Sequence, residues 1–113
     1  MDSTAAERLQ VIYNAYKKAL ERRAHDLKDS KTADEAHAVL ANVDALELAY
    51  LRAAKQALTA TGPAVEAAYQ AATQAAAAVE AAYREGKGLA DRMRAVAGAV
   101  TAIGTLMTKA AAI

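Results

Sequence analysis

The sequence predicts an all-α fold: an alanine-rich, antiparallel four-helix bundle running up-down-up-down. Four stretches of similar length carry apolar residues at three- and four-residue steps. The breaks between them hold residues that start and stop helices. The connections are short, which favours antiparallel neighbours. Helices are expected near 4–29, 33–60, 63–85 and 89–112, within one domain spanning 1–113.

The first helix opens on T-A-A-E, Thr4 to Glu7. This spacing suits a reciprocal cap, in which a hydroxyl takes the N3 amide and the N3 carboxylate takes the cap amide. Leu9, Ile12, Tyr13, Tyr16, Leu20, Ala24 and Leu27 then fall on one face, with Lys18, Arg22 and His25 opposite. T-A-D-E, Thr32 to Glu35, repeats the cap and opens the second helix. Its apolar stripe is read as Val43, Tyr50, Leu51 and Ala54, with Glu47 among them. A carboxylate so placed needs a partner. In a hairpin turning near residue 31 it lies level with Tyr16, which is the expected donor.

T-G-P, Thr61 to Pro63, ends the second helix and opens the third, with proline tolerated where an N–H would be unpaired anyway. Within the third helix A-V-E-A-A-Y recurs unchanged after fourteen residues, at Ala64 and again at Ala78. Fourteen residues are two heptads, so Val65, Tyr69, Ala72, Ala76, Val79 and Tyr83 form the bundle-facing stripe. E-G-K-G-L, Glu85 to Leu89, is the last boundary. Beyond it Leu89, Met93, Val96, Val100, Ile103, Met107 and Ala110 keep the heptad spacing.

The composition is unusual for a packed core. Alanine makes up roughly a third of the chain, Phe, Trp and Cys are absent, and five tyrosines carry the aromatic mass. Small side chains allow helices to lie close together. No charge occurs between Glu66 and Glu80 or between Arg94 and Lys109. A second row of small residues, Ala64, Ala67, Ala71, Ala75, Ala78 and Ala82, therefore lies beside the third helix's core stripe. Gly98, Thr101, Thr105 and Thr108 lie opposite the stripe of the fourth. Ala67, Ala71, Ala78, Gly98, Thr101 and Thr105 are the expected interface, in the manner of small-residue helix crossings.

Few chemistries fit the remaining residues. Without Cys there is no disulfide, thiolate site or thiol nucleophile. The two histidines lack the paired E-x-x-H arrangement of a carboxylate-bridged metal site. E-G-K-G is too short for a phosphate loop. The uncharged runs are shorter than the ~18 residues of a membrane span. No basic-then-apolar leader opens the chain, so a cytoplasmic location is the default expectation.

A-H-D-L-K-D-S, Ala24 to Ser30, resembles the A-H-x-L-K-G-S core of histidine-containing phosphotransfer domains, which are themselves four-helix bundles. The resemblance covers seven residues and implies His25 as phospho-acceptor and Lys28 as the charge that steadies the phosphoryl group. Asp29 stands where that family has the glycine that admits the partner's acidic site. The segment is accordingly read as a solvated, mixed-charge helical face.

A nucleic-acid-coating role is raised by Arg8, Lys17, Lys18, Arg22, Arg23, Lys28 and Lys31. Interleaved Glu7, Glu21, Asp26 and Asp29 dilute that row, and the formal charge is only +1. The expectation is a non-enzymatic helical protein, a self-assembling subunit or adaptor, with no cofactor or small-molecule substrate. Its partner is expected to be itself or another helical protein, and neither nucleic acid nor membrane.

Overall fold

In the computed structural model, which describes residues 2–111, four helices follow one another: α1 Ala5–Asp29, α2 Ala33–Lys55, α3 Pro63–Arg84 and α4 Leu89–Ala110. No strand occurs among the described residues. The fourth helix's expected end at 112 lies outside them. Both reciprocal caps form. Thr4 Oγ1 accepts the Glu7 N–H at 3.1 Å while the Glu7 carboxylate accepts the Thr4 N–H at 2.9 Å. Thr32 and Glu35 do the same at 3.1 and 3.2 Å. Each pair satisfies two amides that a helix start would otherwise leave bare. At the end of α3 the Lys87 N–H reaches the Ala82 carbonyl at 3.0 Å and the Gly86 N–H reaches Tyr83 at 3.2 Å. That closure needs the left-handed backbone that Gly86 supplies, with φ of 69°.

Helix α2 stops at Lys55, five residues before its expected end at 60. From Gln56 the backbone is extended, and Leu58 turns inward to 2% exposure. Arg8 explains the change. Its guanidinium is buried and donates to the carbonyls of Leu58 at 2.6 Å and Ala60 at 2.8 Å. Those carbonyls are available to it only because the helix has ended. The Ala60 N–H then donates to the Ala110 carbonyl at 3.1 Å, which fastens the connection to the end of α4.

The connection crosses the end of the bundle. Helices α1 and α2 form one hairpin and α3 and α4 another, and the second rests chiefly through α4 on α2. The Cα traces of α2 and α3 nowhere come within 8 Å among the described residues, so these chain neighbours are not neighbours in space. Instead α3 lies beside α1, running in the same direction. Arg8 meets Glu66 near the start of both helices, and Asp26 meets Tyr83 near their ends.

The core holds Ile12, Val39, Val43, Leu46, Leu58, Val65, Ala72, Val96, Ile103 and Leu106. The stripes expected for α3 and α4 are the inward ones, with Ala68 and Ala82 of α3 and Arg92, Ala99 and Leu106 of α4 as additions. Two faces are rotated. In α1, Tyr13, Leu20 and Ala24 are exposed while Arg8 and Asp26 are buried. In α2, Val39, Val43, Leu46 and Ala53 are buried, whereas Leu51, Ala54 and Glu47 face out. Tyr13, Tyr16 and Tyr50 cluster between the two helices, the Tyr50 ring centroid 5.1 Å from that of Tyr13 and 5.8 Å from that of Tyr16; Tyr16 and Tyr50 also pack against the core while Tyr13 stays exposed. Glu47 sits at that edge and accepts the Tyr16 hydroxyl at 3.0 Å, the partner the register suggested.

The early end of α2 makes Leu58 a core residue and Leu51 a surface one. Urea unfolding is expected to show Leu58→Ala destabilised by about 2–4 kcal/mol through the cavity it leaves. Leu51→Ala should stay within about 0.5 kcal/mol of wild type.

Candidate functional site

Two places in the fold carry residues that the core does not account for: the outer face of α3 and α4, and the space between α1 and α3. All six expected interface residues are exposed: Ala67, Ala71 and Ala78 on α3, and Gly98, Thr101 and Thr105 on α4. Ala64 shares that exposure, whereas Ala82 turns into the core at 8% exposure. The threonine hydroxyls are satisfied within α4. Thr101 donates to the Ala97 carbonyl and Thr105 to the Thr101 carbonyl, each at 3.2 Å, and Thr108 donates to Gly104 at 3.0 Å. The larger exposed apolar side chains, Tyr13, Leu20, Leu40, Leu48 and Leu51, lie on α1 and α2. There Lys17 lies between Tyr13 and Leu20 and Asp44 between Leu40 and Leu48, while Leu48 and Leu51, three residues apart on one face of α2, adjoin Arg52 and Lys55.

Between α1 and α3 lies a cavity of about 250 Å³. Its floor is Val39, Val43 and Leu46 of α2 with Val96 and Ala99 of α4, and its walls are Val11, Ala15 and Ala19 of α1 and Ala76, Ala77 and Val79 of α3. The walls explain the space. Where two helices of a core face one another, leucine-sized residues normally fill the gap, and here each helix presents alanine. The α3 repeat thus has an inward consequence that periodicity alone does not disclose.

Charged residues border the cavity. Lys18 Nζ and Arg22 both bind Glu80, at 2.9 and 3.0 Å. Partial burial opposes the charge on Glu80, but hydrogen bonds from Lys18 and Arg22 outweigh it and hold the carboxyl below its usual range. At the far end Asp26, 3% exposed, accepts the Tyr83 hydroxyl and takes an N–H of Arg92 at 2.8 Å. Arg92 also reaches Asp29 at 2.6 Å, and that contact is the main reason the Asp29 carboxyl titrates low. Tyr83 lies between two guanidinium groups, 4.0 Å from Arg22 and 5.3 Å from Arg92. Burial, reinforced by the bond to Asp26, pushes its hydroxyl well above the usual range, so it remains a donor.

His25 lies outside this cluster. Its side chain is 64% exposed, with Nε2 3.4 Å from the Asp29 carboxylate. Asp29, the residue that departs from the phosphotransfer pattern, thus stands directly beside it and is itself held by Arg92. The basic row of α1 is divided: Arg8 is buried, Lys18 and Arg22 are paired with Glu80, and Lys17, Arg23, Lys28 and Lys31 remain exposed. Among the described residues no group of three His, Asp or Glu side chains is placed to hold a metal ion. No helix among them is long and apolar enough to cross a membrane.

The spacing of apolar residues does not predict that Arg8, Asp26 and Arg92 are buried. One signal was present: Arg8 and Asp26 are eighteen residues apart, five helical turns, so they share one face of α1. That face also holds Ile12, Ala15 and Ala19, and it is the one turned inward.

These groups fix how stability responds to pH. The carboxyls of Asp29, Glu66 and Glu80 titrate below their ordinary values of 3.8, 4.5 and 4.5. They contribute stability above those values, and it is lost as pH falls through the lowered ones. Tyr83 and Tyr16 titrate above the ordinary 10.0, so the unfolded chain loses those protons first and stability falls as pH rises past that value. Urea midpoints across a pH series are expected to be flat near neutrality, to fall on both sides, and to lose much of the alkaline fall in Tyr83→Phe.

No family model, no curated protein and no solved structure matches this chain.

Proposed function

We propose that this chain is a non-catalytic helical protein that works by helix association, as a self-assembling structural subunit or an adaptor, and that its simplest partner is a second copy of itself. The observation that carries this reading is the pair of glycines inside α4. An interior glycine costs about 1 kcal/mol relative to alanine. A Cβ at Gly98 or Gly104 would meet nothing within 4 Å, so the single chain gains nothing from its absence. A second backbone lying against α4 would gain close approach at Gly98, which shares its face with Thr101 and Thr105, while Gly104 lies about a third of a turn away.

The surroundings support the same use. The threonines beside these glycines bond to carbonyls of their own helix, so the face can be covered without stranding a polar group. Across the uncharged run of α3, the exposed side chains are alanines with Gln70, Gln74 and Thr73. Alanine offers little area, so such a contact draws on many small dispersion terms and is sensitive to added bulk.

Light scattering over a concentration series tests the reading. The wild-type chain is expected to exceed the 11.8 kDa of one copy at high micromolar concentration. Ala71→Leu and Gly98→Leu are expected to return it toward that mass with unchanged helicity. Because Gly98→Leu should raise the helix propensity of α4, loss of assembly there would not reflect unfolding. A wild-type mass of one copy throughout, with both variants identical to it, contradicts the proposal.

A further inference from the structure

The cavity between α1 and α3 plays no part in association through the opposite helix faces. We propose that it is a binding site for a small amphiphile with an apolar body and one anionic head, of which a medium-chain carboxylate is the simplest form. Volume is the first argument. At about 250 Å³ the space, open to solvent at its mouth, has room for a short apolar chain. Its floor and walls are mostly aliphatic, with Asn14, Asn42 and Thr73 as uncharged amide and hydroxyl side chains among them, so they offer an apolar chain many contacts.

The residues that make the space are the second argument. Ala15 and Ala19 on one wall and Ala76 and Ala77 on the other leave room at four positions where one leucine would close it. Packed interiors retain few voids larger than a water molecule. A void held open by alanines on two separate helices is suited to an occupant.

Charge selects the head group. Lys18 and Arg22 share the single carboxylate of Glu80, which leaves one positive charge uncompensated at the mouth. At the far end the balance is reversed, since Arg92 is shared by Asp26 and Asp29, so the positive excess is local to the mouth, where Lys18 and Arg22 stand. Lys18 is 46% exposed and shares Glu80 with Arg22, so its ammonium and the Arg22 guanidinium can take a carboxylate beside Glu80 while the apolar chain lies along Val43 and Val96. A cationic amphiphile would meet the same two cations and be rejected.

Calorimetric titration and amide NMR with decanoate, decanol and acetate, all below micelle-forming concentrations, test this. Decanoate is expected to bind one to one and to shift the amides of Val43, Ala76 and Val96. Decanol should bind about tenfold more weakly, equivalent to about 1.4 kcal/mol, and acetate should not bind. Replacing both cations, Lys18→Gln with Arg22→Gln, should bring decanoate down to decanol and leave decanol unchanged. Ala76→Leu should abolish binding of both in a protein that melts no lower than wild type. Ala15→Leu fills the space from the opposite wall and gives the same test should the first variant fold poorly. Three results would overturn the proposal: decanol binding as tightly as decanoate, binding that survives both filling substitutions, or no saturable binding at all. In the last case, shifts of the same amides on raising protein concentration alone would assign the cavity to a second copy.

Discussion

The seam between α1 and α3 is closed by charge at its ends and not by apolar packing along its length. At one end Arg8, 1% exposed, donates to Ser3 Oγ, to the carbonyls of Leu58 and Ala60, and to Glu66. At the other end Asp26 receives Tyr83 and Arg92. A guanidinium taken from water without such partners is strongly destabilising, so loss of one partner weakens the whole set, and the Arg92 set already leaves its Nε–H without an acceptor. By holding two carbonyls of the connection, Arg8 fixes where α2 stops and sends the chain across the bundle end. That crossing places α3 beside α1, and the middle of the seam is left to alanines.

The small residues of this chain consequently have two different consequences. Turned toward the seam, at Ala15, Ala19 and Ala76, with the exposed Ala77 at its rim, they keep two helices from filling the space between them, and charges gather at the mouth of the cavity that results. Turned outward, at Ala67, Ala71, Ala78 and Gly98, they leave a surface without charge or bulk, whose threonines are satisfied internally. Composition treats these positions alike. Only the rotation of each helix about its axis separates a residue that shapes a cavity from one that shapes a face.

That rotation marks how far the sequence could be read. Helix starts were legible because Thr4 with Glu7 and Thr32 with Glu35 are local, and a cap depends on residues three apart. The inward stripes of α3 and α4 were legible because Val65, Ala72, Val96 and Ile103 repeat with the heptad. The end of α2 was not, since what stops it is Arg8, about fifty residues earlier in the chain. The faces of α1 and α2 were misjudged for a related reason. Tyr13 and Leu20 have the spacing of core residues, yet both are exposed, while Arg8 and Asp26 are buried with partners on other helices. Pairing across the fold outweighs the polarity of a single residue, and no window along the chain contains both partners.

Native-state hydrogen exchange on an Arg8→Met variant tests the dependence on Arg8 most directly. Methionine keeps an unbranched apolar stem and removes the donors. The Ala60 amide, which donates to Ala110, and the Glu66 amide in the first turn of α3 should then exchange through local opening. Amides deep in the α3–α4 hairpin, at Ala72 and Ile103, should still exchange only with global unfolding. Unchanged protection at Ala60, or an equal loss at all four positions, would contradict the claim that this one guanidinium holds the crossing in place.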